Sequence, residues 1–177
     1  MTSRRIEIVR AARELLEHGG PAALTMRGLA DQLQIKAPSL YKHLPDKGAL
    51  ELAIVVDGFE QAALAFEDAV LDAEDPLAAF VSAYRAFVAD HPHVYRLMTE
   101  GPLPRDDLPP GLEERTAAPL VQATGDPARA RAAFGFIHGM VSLEMNGRFP
   151  NDGNTEAAWA RGLEAFRAPS VATELLT

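Results

Sequence analysis

The chain has no cysteine among its 177 residues. A disulfide framework, a cysteine-based zinc site and a thiol nucleophile are thereby excluded. Long apolar runs are missing too. None approaches the roughly 18 consecutive residues that a membrane span needs. The first residues pass from Arg4 and Arg5 into Ile6-Glu7-Ile8-Val9-Arg10, without the apolar stretch of a secretory signal. The expectation is a soluble, cytoplasmic protein with no membrane contact. Short alternating Val/Ile/Thr runs bounded by turns are also scarce, so no strands are expected. Catalytic signatures are absent. There is no Gly-rich phosphate loop, no nucleophile elbow and no His-Glu-x-x-His. His91 and His93 flank Pro92 at a helix junction, and a metal role would need carboxylates or another His brought near by folding. The sequence thus implies no enzyme, no metal and no cofactor.

What is present is helix-forming. Alanine occurs 31 times, and Glu, Leu, Arg and Ala dominate the periodic segments. Proline and glycine divide the chain into about nine helical pieces, near residues 4–18, 25–33, 38–43, 47–71, 76–90, 93–100, 110–123, 127–148 and 155–168. The fold class is all-α. At about 150 residues per domain, the length suits one ordinary domain or two small ones.

The net charge is −8, which taken whole argues against a nucleic-acid binder. The average hides a split. Residues 1–50 hold eight Lys/Arg against five Asp/Glu, a net of +3. The remaining 127 hold nine against twenty, a net of −11. A basic head on an acidic body suggests that only the head meets a polyanion.

The head contains two short helices around a tight turn. Thr25 is an N-cap candidate for Met26-Arg27-Gly28-Leu29-Ala30-Asp31-Gln32-Leu33. Gln34-Ile35-Lys36 makes the turn, and Ala37-Pro38-Ser39-Leu40-Tyr41-Lys42-His43 the second helix. Leu29, Ala30, Leu33, Ile35 and Leu40 point inward. The pattern is that of a helix-turn-helix whose second helix fits a DNA major groove. The string Tyr41-x-His43-Leu44-x-x-Lys47-x-x-Leu50 follows it. With the lead helix from Arg5 and the stretch Leu24 to Ala30, this segment resembles the TetR family of transcriptional regulators.

The resemblance implies roles. Thr25 and Arg27 would meet phosphates. Lys36, Ala37, Pro38 and Ser39 would enter the groove. Tyr41 and His43 match positions that contact backbone or thymine methyls. Lys42 would reach a phosphate or a guanine edge, and Lys47 a phosphate. There are three departures from the family pattern. Gln34 stands where glycine is usual and must accept strain or another turn. Lys36 stands where Ser or Thr commonly caps the recognition helix. Leu44 replaces a phenylalanine.

The resemblance also implies a division of roles between a DNA-binding domain over residues 1–50 and a ligand-binding and dimerisation domain over 51–177. The eighth piece is apolar on two faces, so both must be covered. One face carries Phe134, Ile137, His138, Val141 and Met145. The other carries Phe136, Met140, Leu143 and Gly147. Trp159, Leu163 and Phe166 form a stripe on the ninth. Phe136, Met140, Leu143, Trp159, Leu163 and Phe166 are the expected dimer contacts, with Gly135 and Gly139 allowing close approach. Phe136-Ile137-His138-Gly139 also resembles a motif of the subfamily described by Trp-His-Gly, without the Trp. An effector pocket is implied by the resemblance alone. Its candidates are Phe66, Phe80, Tyr84, Phe87, Met98, Phe134, His138 and Val141. The expected function is a ligand-responsive regulator on a double-stranded operator, most simply a repressor released by a small-molecule inducer. The alternative is a ligand-binding or interaction protein with a degenerate DNA-binding head.

Overall fold

The computed structural model describes residues 3–150 and 154–167. Among them are nine α-helices, one 3-10 turn and no strand. The helices are α1 (Ser3–Ala23), α2 (Met26–Gln32), α3 (Ala37–Tyr41), α4 (Lys47–Val70), α5 (Pro76–Asp90), α6 (Pro92–Thr99), α7 (Leu112–Thr124), α8 (Pro127–Met145) and α9 (Thr155–Glu164). The all-α expectation of about nine helices holds.

Local chemistry sets most helix starts. Thr25 caps α2 by accepting the Gly28 N–H at 3.0 Å. Asp46, Asp75 and Asp126 accept the third amide beyond them at the starts of α4, α5 and α8, at 2.7, 3.1 and 2.7 Å. Each such cap satisfies an amide that the helix itself leaves without a partner, at a gain of about 1 kcal/mol. Pro92 and Pro127 occupy first-turn positions, where a missing N–H costs little.

Glycine and proline set the ends. Gly20, at φ 67°, breaks α1 just before Pro21, so the helical run ahead of it ends close to the expected limit at residue 18. The eighth helix stops at Met145, three residues before the expected 148. Gly147 there takes φ 59°, and the Arg148 N–H closes back on the Leu143 carbonyl at 2.9 Å. This is a Schellman ending, which needs a left-handed residue that glycine supplies cheaply. The Pro-rich stretch expected to be loop contains one 3-10 turn, Arg105–Asp107, and α7 starts only at Leu112. The expected end of the last helix, Ala168, lies outside the described residues.

The chain forms two compact units. Unit 1 comprises the described residues up to Ala62 together with Val88–Glu113. Unit 2 comprises Ala63–Phe87 and the described residues from Glu114 onward. In unit 1, Ile8, Ala12 and Leu16 of α1 meet Leu24, Leu29 and Ala30, then Leu40, Leu44, Leu50 and Ile54, and Val94 of α6. All are buried. The spacing of Ile8, Ala12 and Leu16 is one residue per turn on a single helix face. Each large aliphatic side chain here contributes about 1.5–3 kcal/mol on burial. Leu44 is fully inside, so the departure from phenylalanine is a core change of size only. A second cluster in this unit joins Val55 and Val56 of α4 to Leu108 and Leu112.

Unit 2 has an aromatic core. Phe66, Phe80, Tyr84 and Phe87 are buried, and the Phe66 ring lies 4.7, 5.6 and 6.2 Å from the other three. Ala130, Ala133, Ile137, Met140 and Val141 of α8 and Trp159 and Leu163 of α9 are also buried.

Candidate nucleic-acid interface

The turn between α2 and α3 shows how the sequence accommodates Gln34. This residue takes φ 53°, in the left-handed region. Its N–H donates to the Asp31 carbonyl at 3.1 Å, and the Ile35 N–H donates to the Ala30 carbonyl at 3.0 Å. The two bonds make a Schellman ending to α2. Ile35 then folds inward against the unit 1 core. The turn is therefore the one that glycine would make. Gln34 bears a steric cost of about 1–2 kcal/mol for its Cβ.

Helix α3 starts without a side-chain cap at Lys36. Pro38 sits in its first turn, and Leu40 is fully buried and anchors the helix. That single inward side chain leaves the rest of α3 outward. Thr25, Arg27, Lys36, Pro38, Ser39, Tyr41, Lys42, His43 and Lys47 are all exposed, and Ala37 is half-buried. Tyr41 presents 48% of its surface to solvent.

The cations of the head are unequally committed. Arg4 pairs with Glu7 and Arg10 with Glu14. Arg13 is buried against Asp57. Lys47 lies 3.4 Å from Glu51. Among the described residues no carboxylate pairs with Arg27, Lys36 or Lys42. The positive surplus of the first 50 residues is thus uncompensated on α2, the turn and α3, where a phosphate backbone would meet it. Thr25 uses its oxygen as an acceptor for the helix cap and keeps its O–H for an outside acceptor.

The expected effector residues are placed less uniformly. Phe66, Phe80, Tyr84 and Phe87 pack on one another, and Phe134 meets Tyr84 edge-on at 6.3 Å. Phe134 stacks on His138 at 6.0 Å and remains 46% exposed. Val141 is buried. Met98 packs in unit 1, against Gly58, while the other seven lie in unit 2.

The expected dimer contacts divide as well. Trp159, Leu163 and Met140 are buried within the chain. Phe136 packs edge-on against Trp159 at 5.5 Å, beside Phe166 at 5.6 Å and onto Gly162. These residues weld α8 to α9 within the chain. Leu143 is 41% exposed. Gly135 and Gly139 have open space where a Cβ would stand.

Sequence reasoning missed a polar cluster in unit 2. Arg85 donates to both oxygens of Glu156, at 3.1 and 2.6 Å, and to Glu144 at 2.9 Å. Its guanidinium lies over the Trp159 ring at 5.1 Å, and the Trp159 Nε1–H donates to Glu144 at 2.9 Å. The hydrogen bond from Arg85 holds the Glu156 carboxyl below its ordinary range. Glu144 is thus committed to α5 and α9.

Comparison with known proteins covers most of the chain. Residues 8–54 match the family described as bacterial regulatory proteins, tetR family, and residues 77–166 match the tetracyclin repressor-like C-terminal domain. An HTH-type transcriptional regulator of Saccharopolyspora erythraea is 33% identical over 166 residues, covering 92% of this chain and 70% of that one. The crystal structure of regulatory protein SCO4313 superposes with a TM-score of 0.74 at 25% identity, covering 93% of this chain and 95% of that one. A TetR variant from Acinetobacter baumannii in complex with minocycline superposes with a TM-score of 0.60 at 25% identity, covering 90% and 91%. The first match falls on the helix-turn-helix and its flanking helices, the second on the helices that follow. The chain belongs to the TetR family of helix-turn-helix transcriptional regulators.

Proposed function

We propose that this regulator is a ligand-responsive homodimer, a repressor released from a pseudo-palindromic operator by a small-molecule inducer. The observation that carries the DNA-binding part is the exposed group Arg27, Lys36, Tyr41 and Lys42, with no carboxylate among the described residues paired with its three cations. Residues 1–50 are the DNA-binding domain in this reading, and 51–177 the ligand-binding and dimerisation domain. Two heads would enter successive major grooves about one helical turn apart. The contact residues are Thr25, Arg27, Lys36, Ala37, Pro38, Ser39, Tyr41, Lys42, His43 and Lys47. Lys47 contributes by leaving Glu51 for a phosphate.

The effector would be a small, largely apolar molecule received beside Phe66, Phe80, Tyr84, Phe87, Phe134, His138 and Val141. The minocycline complex of the Acinetobacter protein supports a ligand site in the body of this fold. Leu143 and the open face at Gly135 and Gly139 would meet the partner protomer, with Phe136, Met140, Trp159, Leu163 and Phe166 as the layer beneath. Induction is a population shift, so the effector must bind the operator-free arrangement more tightly than the operator-bound one. Among the described residues no helix is long and apolar enough to cross a membrane, which suits action in the cytoplasm.

The alternative, a binding protein with a degenerate head, rests on Gln34 and Lys36. The hydrogen-bonded closure of the turn at Gln34 weighs against it. Selection of bound sequences from random duplex DNA separates the two. The regulator reading expects an enriched pseudo-palindrome with half-sites about 10 base pairs apart. Retention of DNA without any enriched sequence would favour the degenerate head.

A further inference from the structure

Helix α6 is short, and Pro92 at its start has no N–H to offer. Its next two amides, of His93 and Val94, need acceptors, and the side chain of the local cap residue His91 does not cap them. The acceptor comes from elsewhere. Both oxygens of Glu17 on α1 are used, one taking the His93 N–H at 3.1 Å and the other the Val94 N–H at 2.8 Å. The donors are 76 and 77 residues distant in sequence. A carboxylate at a helix N-terminus gains from charge-assisted bonds and from the helix dipole.

The other side of α6 meets α4. A Cβ built on Gly58 would lie 2.6 Å from Met98 Sδ and 3.0 Å from Val94 Cγ1. A Cβ here would have to push the Met98 and Val94 side chains aside, so glycine favours this close approach of α6 to α4. Helix α6 therefore touches both helices that flank the helix-turn-helix. Glu17 is on α1, just ahead of the break at Gly20, and Gly58 is on α4, which leaves α3 after Asp46. Helices α2 and α3 are carried between these two supports and share their core.

We infer that Glu17 is a positioning residue for operator binding, which acts by clamping the start of α6 and so fixing the α1–α4 frame on which the recognition helix is carried. The inference rests on the DNA-binding reading above. It assigns to Glu17 no contact with DNA.

Glu17→Ala, Glu17→Asp and Glu17→Gln in the full chain test it. The readouts are amide hydrogen exchange at residues 93 and 94 and titration of the selected operator at several salt concentrations. Asp keeps the charge but is one methylene too short to reach both amides. Gln keeps the reach but offers one acceptor oxygen instead of two. The expected result is faster exchange at both amides and about tenfold weaker operator binding for Ala and Asp alike. Gln should fall between them and the wild type, and the salt slope should not change, because no phosphate contact is lost. If Ala fails to fold, the Asp and Gln pair decides. Faster exchange with unchanged operator affinity, well below the melting temperature, would reduce Glu17 to a structural cap and overturn the inference. Unchanged exchange would overturn the clamp itself. Wild-type protein that enriches no DNA sequence would instead defeat the regulator reading. An operator bound equally by all four proteins would defeat only the role of Glu17.

Discussion

Asp57 on α4 accepts a hydrogen bond from the guanidinium of Arg13 on α1, across 44 residues of sequence. Arg13 is 7% exposed, and Gln61 donates to the same carboxylate oxygen at 2.8 Å. The pair fixes α1 on α4 at the base of the helix-turn-helix. Removing one partner leaves the other charge with little water to receive it.

The first prediction follows from that burial. Asp57→Ala strands the Arg13 guanidinium and should cost about 3 kcal/mol of unfolding free energy. Arg13→Met combined with Asp57→Leu should recover most of the loss, because well-packed apolar replacements of a buried pair are often near neutral. Urea denaturation of both proteins checks this. A double variant no more stable than Asp57→Ala would contradict it.

Gln34 holds a left-handed backbone that its Cβ resists. Gln34→Gly should raise stability by about 1 kcal/mol, since the turn's two hydrogen bonds are made by backbone groups and survive the change. The added freedom of glycine in the unfolded chain offsets part of the gain. Thermal unfolding is the measurement, and a lower melting temperature would show that the Gln34 side chain has a stabilising contact of its own.

Lys36 opens α3 without capping it. Lys36→Ser supplies an acceptor for the first turn and should stabilise the head by about 1 kcal/mol. The same change removes a cation from the proposed DNA face. It should reduce the salt slope of operator binding by about one if Lys36 holds a phosphate. Higher stability with weaker operator binding is the expected combination.

Two carboxyls in unit 2 titrate low. Glu67 is held below its ordinary value of 4.5, chiefly by the side-chain hydrogen bond from Arg115, which donates to both oxygens at 2.7 Å. Glu156 is held below 4.5 first by its hydrogen bond from Arg85. On acidification the unfolded chain takes up these protons first. Their stabilisation is complete above pH 4.5 and is lost as the pH falls through the lower folded-state values. Glu156 is largely exposed and Glu67 partly so, and solvent keeps the effect small. Glu67→Gln with Glu156→Gln should flatten the acid limb of stability against pH and leave neutral-pH operator affinity unchanged. An acid limb as steep as that of the wild type would contradict the assignment.

Much of this structure is legible in the sequence because its causes are local. Thr25, Asp46 and Asp126 announce helix starts by their own side chains, and Gly20 with Pro21 announces a break. The inward spacing of Leu29, Ala30 and Leu40 is fixed by helical periodicity, so the outward set at Arg27, Lys36, Tyr41 and Lys42 follows from it. The early stop of α8 at Met145 is less legible, because the expected helix runs past Gly147, which the backbone uses as a left-handed ending. Long-range pairing is the rest. Nothing in the sequence near Glu17 says that its carboxylate caps a helix beginning at Pro92, and nothing near Arg85 names Glu144, Glu156 and Trp159 as its partners. Trp159 and Leu163 carry the spacing of an outward stripe, yet within one chain Phe136 and its neighbours on α8 already cover that face. Periodicity reports that a face is covered and does not report by what.

The most direct measurement is the salt dependence of operator affinity for the wild type and for Arg27→Ala and Lys42→Ala. Fluorescence anisotropy on the selected operator, with scrambled duplex as control, supplies it. A phosphate-contacting head predicts tight, salt-sensitive binding that beats the control. Each variant should then weaken binding and lower the slope by about one per protomer contact, with melting temperature unchanged. Equal affinity and equal slope in all three proteins, or no preference over scrambled DNA, would contradict the placement of the DNA interface on α2 and α3.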